Sequence, residues 1–126
     1  MNLMLALILT LIPNSPVDNP KPLTPAQISD IGCVAAIAIV AQDQKTQTKS
    51  QVRYFDVQER GRLWAGIVGD RVTHVSGQPR EVIVFALRRA AAAERKLDRA
   101  TPDYRARVTA CIVQMDADIA RESSVM

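Results

Sequence analysis

Aromatic residues are scarce, with one Trp, two Tyr and two Phe making up 4% of 126 positions. Sandwiches and barrels use aromatic and β-branched side chains to cover pleated faces, and glycine-rich turns to join many short strands. With five Gly in the chain, a strand-rich fold is excluded. Histidine occurs once, at His74, so every Ser-His-Asp or Cys-His device would have to pass through that residue, which stands near a predicted helix end where a histidine caps carbonyls or meets solvent. Cysteine occurs twice, at Cys33 and Cys111, too far apart for Cys-x-x-Cys metal or redox spacing. HExxH and paired-His sites are missing. Gly61, Gly66 and Gly69 match neither GxGxxG nor a phosphate loop, and they read as packing notches. No catalytic residue, metal ligand or cofactor is expected.

A dominant charge is also lacking. Sixteen Lys and Arg face thirteen Asp and Glu, leaving +3, less than a dedicated nucleic-acid binder concentrates on one face. The excess is local. Residues 88–107 hold seven cations against Glu94, Asp98 and Asp103. The plain reading is a solvated helix face laced with ion pairs. The sharper one is contact with phosphates through Arg88, Arg89, Arg95 and Lys96.

Hydrophobic residues make up 48%, which excludes whole-chain disorder, and many are Ala, the strongest helix former. Residues 3–12, LMLALILTLI, are an uncharged run of about 15 Å as helix, too short to span a bilayer and suited to the apolar part of a secretory signal. No Lys or Arg precedes it, and no Ala-x-Ala cleavage site follows. The proline-punctuated stretch to residue 22 reads as an extended linker. If the chain is exported, Cys33 and Cys111 form one disulfide; in a cytoplasmic protein they would be two buried thiols.

Residues 23–122 are expected to form a helical domain, with 123–126 a tail. Thr24-Pro25-Ala26-Gln27 is a helix start with the elements of a capping box. The eleven positions 31–41 carry no polar side chain, so that helix should be buried on most sides; taken alone, eleven residues cannot cross a membrane. Residues 42–50 read as a turn. A second helix is expected over about 51–75, with Val52, Phe55, Trp64, Val68, Val72 and Val75 on its apolar stripe. A third, over 79–98, would turn Val82, Ile83, Ala86, Leu87, Ala90, Ala93 and Leu97 inward. The fourth begins at Thr101-Pro102-Asp103, and Tyr104, Val108, Cys111, Met115 and Ile119 make the cleanest stripe in the chain. Asp56, Glu59 and Asp70 have Arg53, Arg60 and Arg71 as neighbours, which predicts surface pairing and not acid–base work. Tyr54 and Phe55 are expected as helix surface plus one core aromatic, or as a binding edge with Trp64.

The fold class is therefore all-α, a small antiparallel four-helix bundle with one disulfide. The cysteines sit at similar depths in their helices, which permits the bridge without fixing the topology. LTPAQISDIGCVAAIAIVA with the later ACIVQMDADIA resembles uncharacterised small exported all-helical proteins of Gram-negative bacteria, a resemblance that implies a periplasmic or secreted location and a fold but no activity. The expected function is binding or assembly with a protein partner. The alternative is a basic helical module contacting nucleic acid or an anionic membrane surface through residues 88–107.

Overall fold

The Thr24 side chain starts the first helix. Its Oγ1 accepts from the Gln27 amide at 3.1 Å, while Gln27 Oε1 accepts from the Thr24 amide at 2.9 Å. This reciprocal capping box satisfies two otherwise orphaned donors. The computed structural model describes residues 20–46 and 54–125; the apolar leader at 3–12 and Val52 lie outside them. Four helices follow, α1 (Pro25–Thr46), α2 (Gln58–Ser76), α3 (Arg80–Arg95) and α4 (Pro102–Val125), and the described residues contain no strand. The bundle is all-α, as the composition requires.

α1 is the central element. Ile31, Val34, Ala35, Ala36, Ile37, Ile39 and Val40 are buried, so a helix apolar all round is covered on nearly all sides, with Ala38 left exposed. It runs through the stretch read as a turn, to Thr46. At 22 residues it is long and apolar enough to cross a membrane by length and composition alone, which corrects the inference drawn from its eleven-residue run. Within this fold it is the core helix.

α2 begins seven residues later than its stripe suggests. Residues 54–57 are not helical, and Gln44 holds them by taking the Val57 amide on its Oε1 at 3.1 Å and donating to the Phe55 carbonyl at 2.9 Å. Phe55 consequently leaves the core and is 85% exposed. Trp64, Val68 and Val72 are buried, and each buried aliphatic or aromatic side chain contributes about 1.5–3 kcal/mol. That exceeds the cost of the three glycines, up to about 1 kcal/mol each. Val75, the last residue of the expected stripe, is 59% exposed. Gly77 ends α2 at φ 67°, its amide bonding the Thr73 carbonyl; a left-handed residue just past the helix favours glycine.

Only one of the expected notches is a notch. A Cβ on Gly61 would stand 2.9 Å from Ile37 Cγ2, whereas one on Gly66 or Gly69 would meet nothing within 4 Å. Gly61 shares the Trp64–Val68–Val72 face at helical spacing; the other two are turned away from α1. Gly61→Ala should therefore destabilise by roughly 1–2 kcal/mol through overpacking, while Gly66→Ala and Gly69→Ala should each gain up to about 1 kcal/mol. Urea melts of the three variants would check the opposite signs.

α3 buries Ile83 and half-buries Ala86, Leu87 and Ala90. Val82 and Leu97 are 39% and 44% exposed, and Ala93 is exposed as well. Val82 lies a hundred degrees around the helix from Ile83, and α3 ends at Arg95, before Leu97. In α4 the stripe holds, with Tyr104, Val108, Cys111 and Met115 buried and Ile119 half-buried, and Thr101 Oγ1 accepts from the Tyr104 amide at 3.2 Å to cap it.

The helices alternate in direction. Asp30 at the start of α1 meets Arg71 near the end of α2, and Gln44 at the end of α1 meets the start of α2. The Gly77 turn reverses the chain into α3. α4 runs against α1, since Cys33 bridges Cys111 with a Cα–Cα distance of 5.3 Å while Asp30 bonds Gln114. α1 packs on all three other helices, and α3 and α4 flank the α1–α2 pair without packing along each other.

Candidate functional site

The chemistry-bearing residues sort into a buried polar network, a polar cluster at one end of the bundle and an outward basic face. The network begins with the α4 stripe, whose steps of four, three and four from Tyr104 to Met115 lead by a further three to Asp118. That carboxylate is only 3% exposed. Trp64 Nε1–H donates to Asp118 Oδ2 at 2.9 Å, Arg71 donates to the same oxygen at 3.2 Å, and Arg121 reaches Oδ1. Arg71 also contacts Asp30 at 3.4 Å, and Gln114 donates to Asp30 at 2.7 Å. Burial pushes the Asp118 carboxyl up, but the bonds from Trp64 and Arg71 and the charges of Arg71 and Arg121 outweigh it and hold it below the usual carboxylate range. All its partners are donors from the protein itself, which makes this a brace between α1, α2 and α4. Arg71 thus pairs with Asp30 and Asp118 and not with its neighbour Asp70. Arg60 pairs with Asp116 at 2.5 Å, so Asp116 and Asp118 point to different partners, as their two-residue spacing on one helix dictates.

At the end of the bundle where α3 passes into α4, Glu94 is buried and takes Arg107 at 2.5 Å. Arg99 ties the connection back to Asp43 of α1 at 2.8 Å. Burial, with Glu94 and Tyr54 nearby, raises the Tyr104 phenol, and burial likewise raises that of Tyr54. Donating to the Glu94 carboxylate raises the Arg107 guanidinium above its already high range. Glu94 and Arg99 are therefore internal fasteners, although both belong to the stretch that reads as a solvated face.

Turning Glu94 inward changes what α3 shows to solvent. At a hundred degrees per residue, Phe85, Arg88, Arg89, Ala92 and Arg95, with Lys96 as the C-cap in helical backbone conformation, fall on one side of α3, opposite Ile83, Leu87 and Glu94. All six are exposed, Phe85 to 61%. The Arg89 guanidinium lies 5.9 Å from the Phe85 ring centroid. None of Arg88, Arg89, Arg95 and Lys96 has an ion-pair partner among the described residues. Glu81, a turn before Phe85, is the one carboxylate on this side of the helix. The structure thus brings the four sequence-predicted anion-contacting residues into one patch and adds an aromatic side chain among them. Arg99, Arg105 and Arg107 stand outside it.

Other candidates lead elsewhere. Trp64 is fully buried, so it forms no binding edge with Tyr54 and Phe55. His74 is exposed. Asp70 is exposed on the margin of a 280 Å³ cleft between α2 and α3, with Thr73 and Arg80. Among the described residues no three His, Cys, Asp or Glu side chains converge to hold a metal ion. A larger groove of 580 Å³ lies where α1, α2 and α3 meet. No family model, curated protein or solved structure matches the chain.

Proposed function

We propose that this chain is an exported binding protein that docks on anionic membrane surfaces through the outward face of α3. One observation carries the reading: Phe85 stands exposed among Arg88, Arg89, Arg95 and Lys96, and Glu94, the neighbour of Arg95, is withdrawn into the bundle, which leaves Glu81 as the one carboxylate on that side. A cationic helix face with an exposed aromatic residue is the pattern of interfacial helices, in which the ring enters the headgroup boundary while the cations meet lipid phosphates. Phosphates alone would call for the cations; an exposed phenyl ring among them favours lipid over nucleic acid. The Cys33–Cys111 bridge supports a periplasmic or secreted location, because such bonds persist in oxidising compartments. The resemblance to small exported helical proteins agrees with that location.

Four cations at about 1 kcal/mol each near an anionic leaflet amount to roughly a thousandfold in partitioning. Co-sedimentation with phosphatidylglycerol vesicles should fall by two to three orders of magnitude, within about that estimate, when Arg88, Arg89, Arg95 and Lys96 are all replaced by Gln. Phe85→Ser should weaken it further, and phosphatidylcholine vesicles should retain little protein. Retention on duplex DNA with none on anionic vesicles would replace this reading with the nucleic-acid one.

A further inference from the structure

We infer that the groove where α1, α2 and α3 meet binds one long-chain fatty acid, with its carboxylate held by Lys45 and Arg62. The groove has a volume of 580 Å³, within the range of small-molecule sites. Its lining on α1 extends from Val34 to Thr46, about 18 Å of helix at 1.5 Å per residue, so it is elongated along the bundle. Val34, Ala38, Ala65 and Leu87 line it with apolar surface, and the polar Gln42 and Gln58 are met where α1 ends and α2 begins. Gly61 lines the same floor, and there a side chain would already press on Ile37.

Charge decides the head group. Among the described residues the ionisable members of the lining are Lys45 and Arg62, both cations, with no carboxylate beside them. Neither has an ion-pair partner among the described residues. Both are exposed, so their heads reach an anion at the rim while their stems lie along apolar surface. Arg offers a planar fork that takes a carboxylate bidentately. An apolar channel of this length with cations alone at its rim is complementary to a single acyl chain ending in an anion. It does not fit a cationic amphiphile, nor a small anion without a tail. The site is separate from the outward face of α3, since Arg88, Arg89, Arg95 and Lys96 take no part in it.

Isothermal titration with laurate below its micelle-forming concentration tests the inference. Laurate should bind one to one, whereas acetate and dodecyltrimethylammonium should not. Lys45→Glu with Arg62→Glu should weaken laurate by about tenfold or more. Ala38→Leu, which extends an exposed side chain into the groove without touching the core, should abolish binding while leaving the thermal melt unchanged. The variant with Arg88, Arg89, Arg95 and Lys96 replaced by Gln should bind laurate like the parent. Equal binding of dodecyltrimethylammonium, unaltered binding by Ala38→Leu, or loss of laurate in the α3 variant would each overturn the assignment. The last two would do so whether or not anionic vesicles are bound.

Discussion

Replacing Cys33 and Cys111 together by Ala should lower the unfolding free energy by about 4 kcal/mol, the largest single loss expected in this molecule. The bridge closes a loop with a sequence separation of 78, for which restriction of the unfolded chain corresponds to between 4 and 5 kcal/mol on the loop-entropy model, with removal of native bridges costing about 2–5. Total stability of a domain this size is about 5–15 kcal/mol, so the bridge accounts for a large share of it. Position adds to the effect. Cys111 is 1% exposed and belongs to the same buried cluster as Trp64, Val68 and Met115, and the bond joins the central helix to the last one. The expected drop in melting temperature is about 20 °C. Denaturant melts of the oxidised protein and of the double variant would measure it; a difference under about 1 kcal/mol would show that packing alone holds α4 in place. The same loss bears on the proposed location, because in a reducing compartment the protein would have to fold without this contribution.

Asp118→Ala should cost about 2–3 kcal/mol, the second largest effect. The substitution leaves the Trp64 indole N–H without an acceptor in a fully buried position, and an unsatisfied buried donor costs about 1–3 kcal/mol. It also removes one partner of Arg71 and of Arg121. Those two are 40% and 74% exposed and can turn to water, which keeps the total below the 3–5 kcal/mol of a wholly buried broken pair. Asp118 makes the stability pH-dependent in a defined direction. Its carboxyl titrates lower in the folded protein than in the unfolded chain, where an aspartate titrates near about 3.9. The unfolded state therefore binds the proton more readily, and the contribution is complete above that value and is lost as pH falls through the folded one. Urea melts from pH 7 down to pH 2 should show wild-type stability falling below about pH 4, with a shallower fall in Asp118→Asn. Parallel profiles would remove Asp118 from this role.

Much of the fold is legible along the chain because its signals are local. Thr24 and Gln27 cap α1, Gly77 ends α2, and Thr101 caps α4, each through bonds spanning three or four residues. The α4 stripe is read correctly because period and burial coincide on one face. The start of α2 is not legible, since what ends the apolar pattern at Val57 is Gln44, a side chain thirteen residues earlier. Gly61 reads like Gly66 and Gly69 until Ile37 is seen to stand over it. Asp118 continues the α4 spacing and yet is polar, so a hydrophobic pattern passes over it; extending the steps of three and four by one more position would have exposed it as a buried carboxylate needing donors.

The candidate site divides along the same line. That residues 88–107 carry surplus cations is a property of composition, and composition places Phe85 nearby. Which cations remain free is decided only when the chain folds. Glu94 turns inward to Arg107 and Arg99 reaches across to Asp43, so the acid next to Arg95 is used inside while Arg88, Arg89, Arg95 and Lys96 are left on one outward face. The groove with Lys45 and Arg62 has no trace in the linear order, because its walls come from three helices.

By itself the sequence determined the helical class, the number of helices, most of their caps and the two cysteines available for a bridge. These depend on propensity, periodicity and hydrogen bonds between near neighbours. The tertiary structure alone decided that α1 is the hub, that Trp64 and Asp118 form an internal brace, and which charges face solvent. Those outcomes depend on residues far apart in the chain competing for the same partners, and a carboxylate that can pair with either of two arginines is assigned only when packing brings one of them within reach.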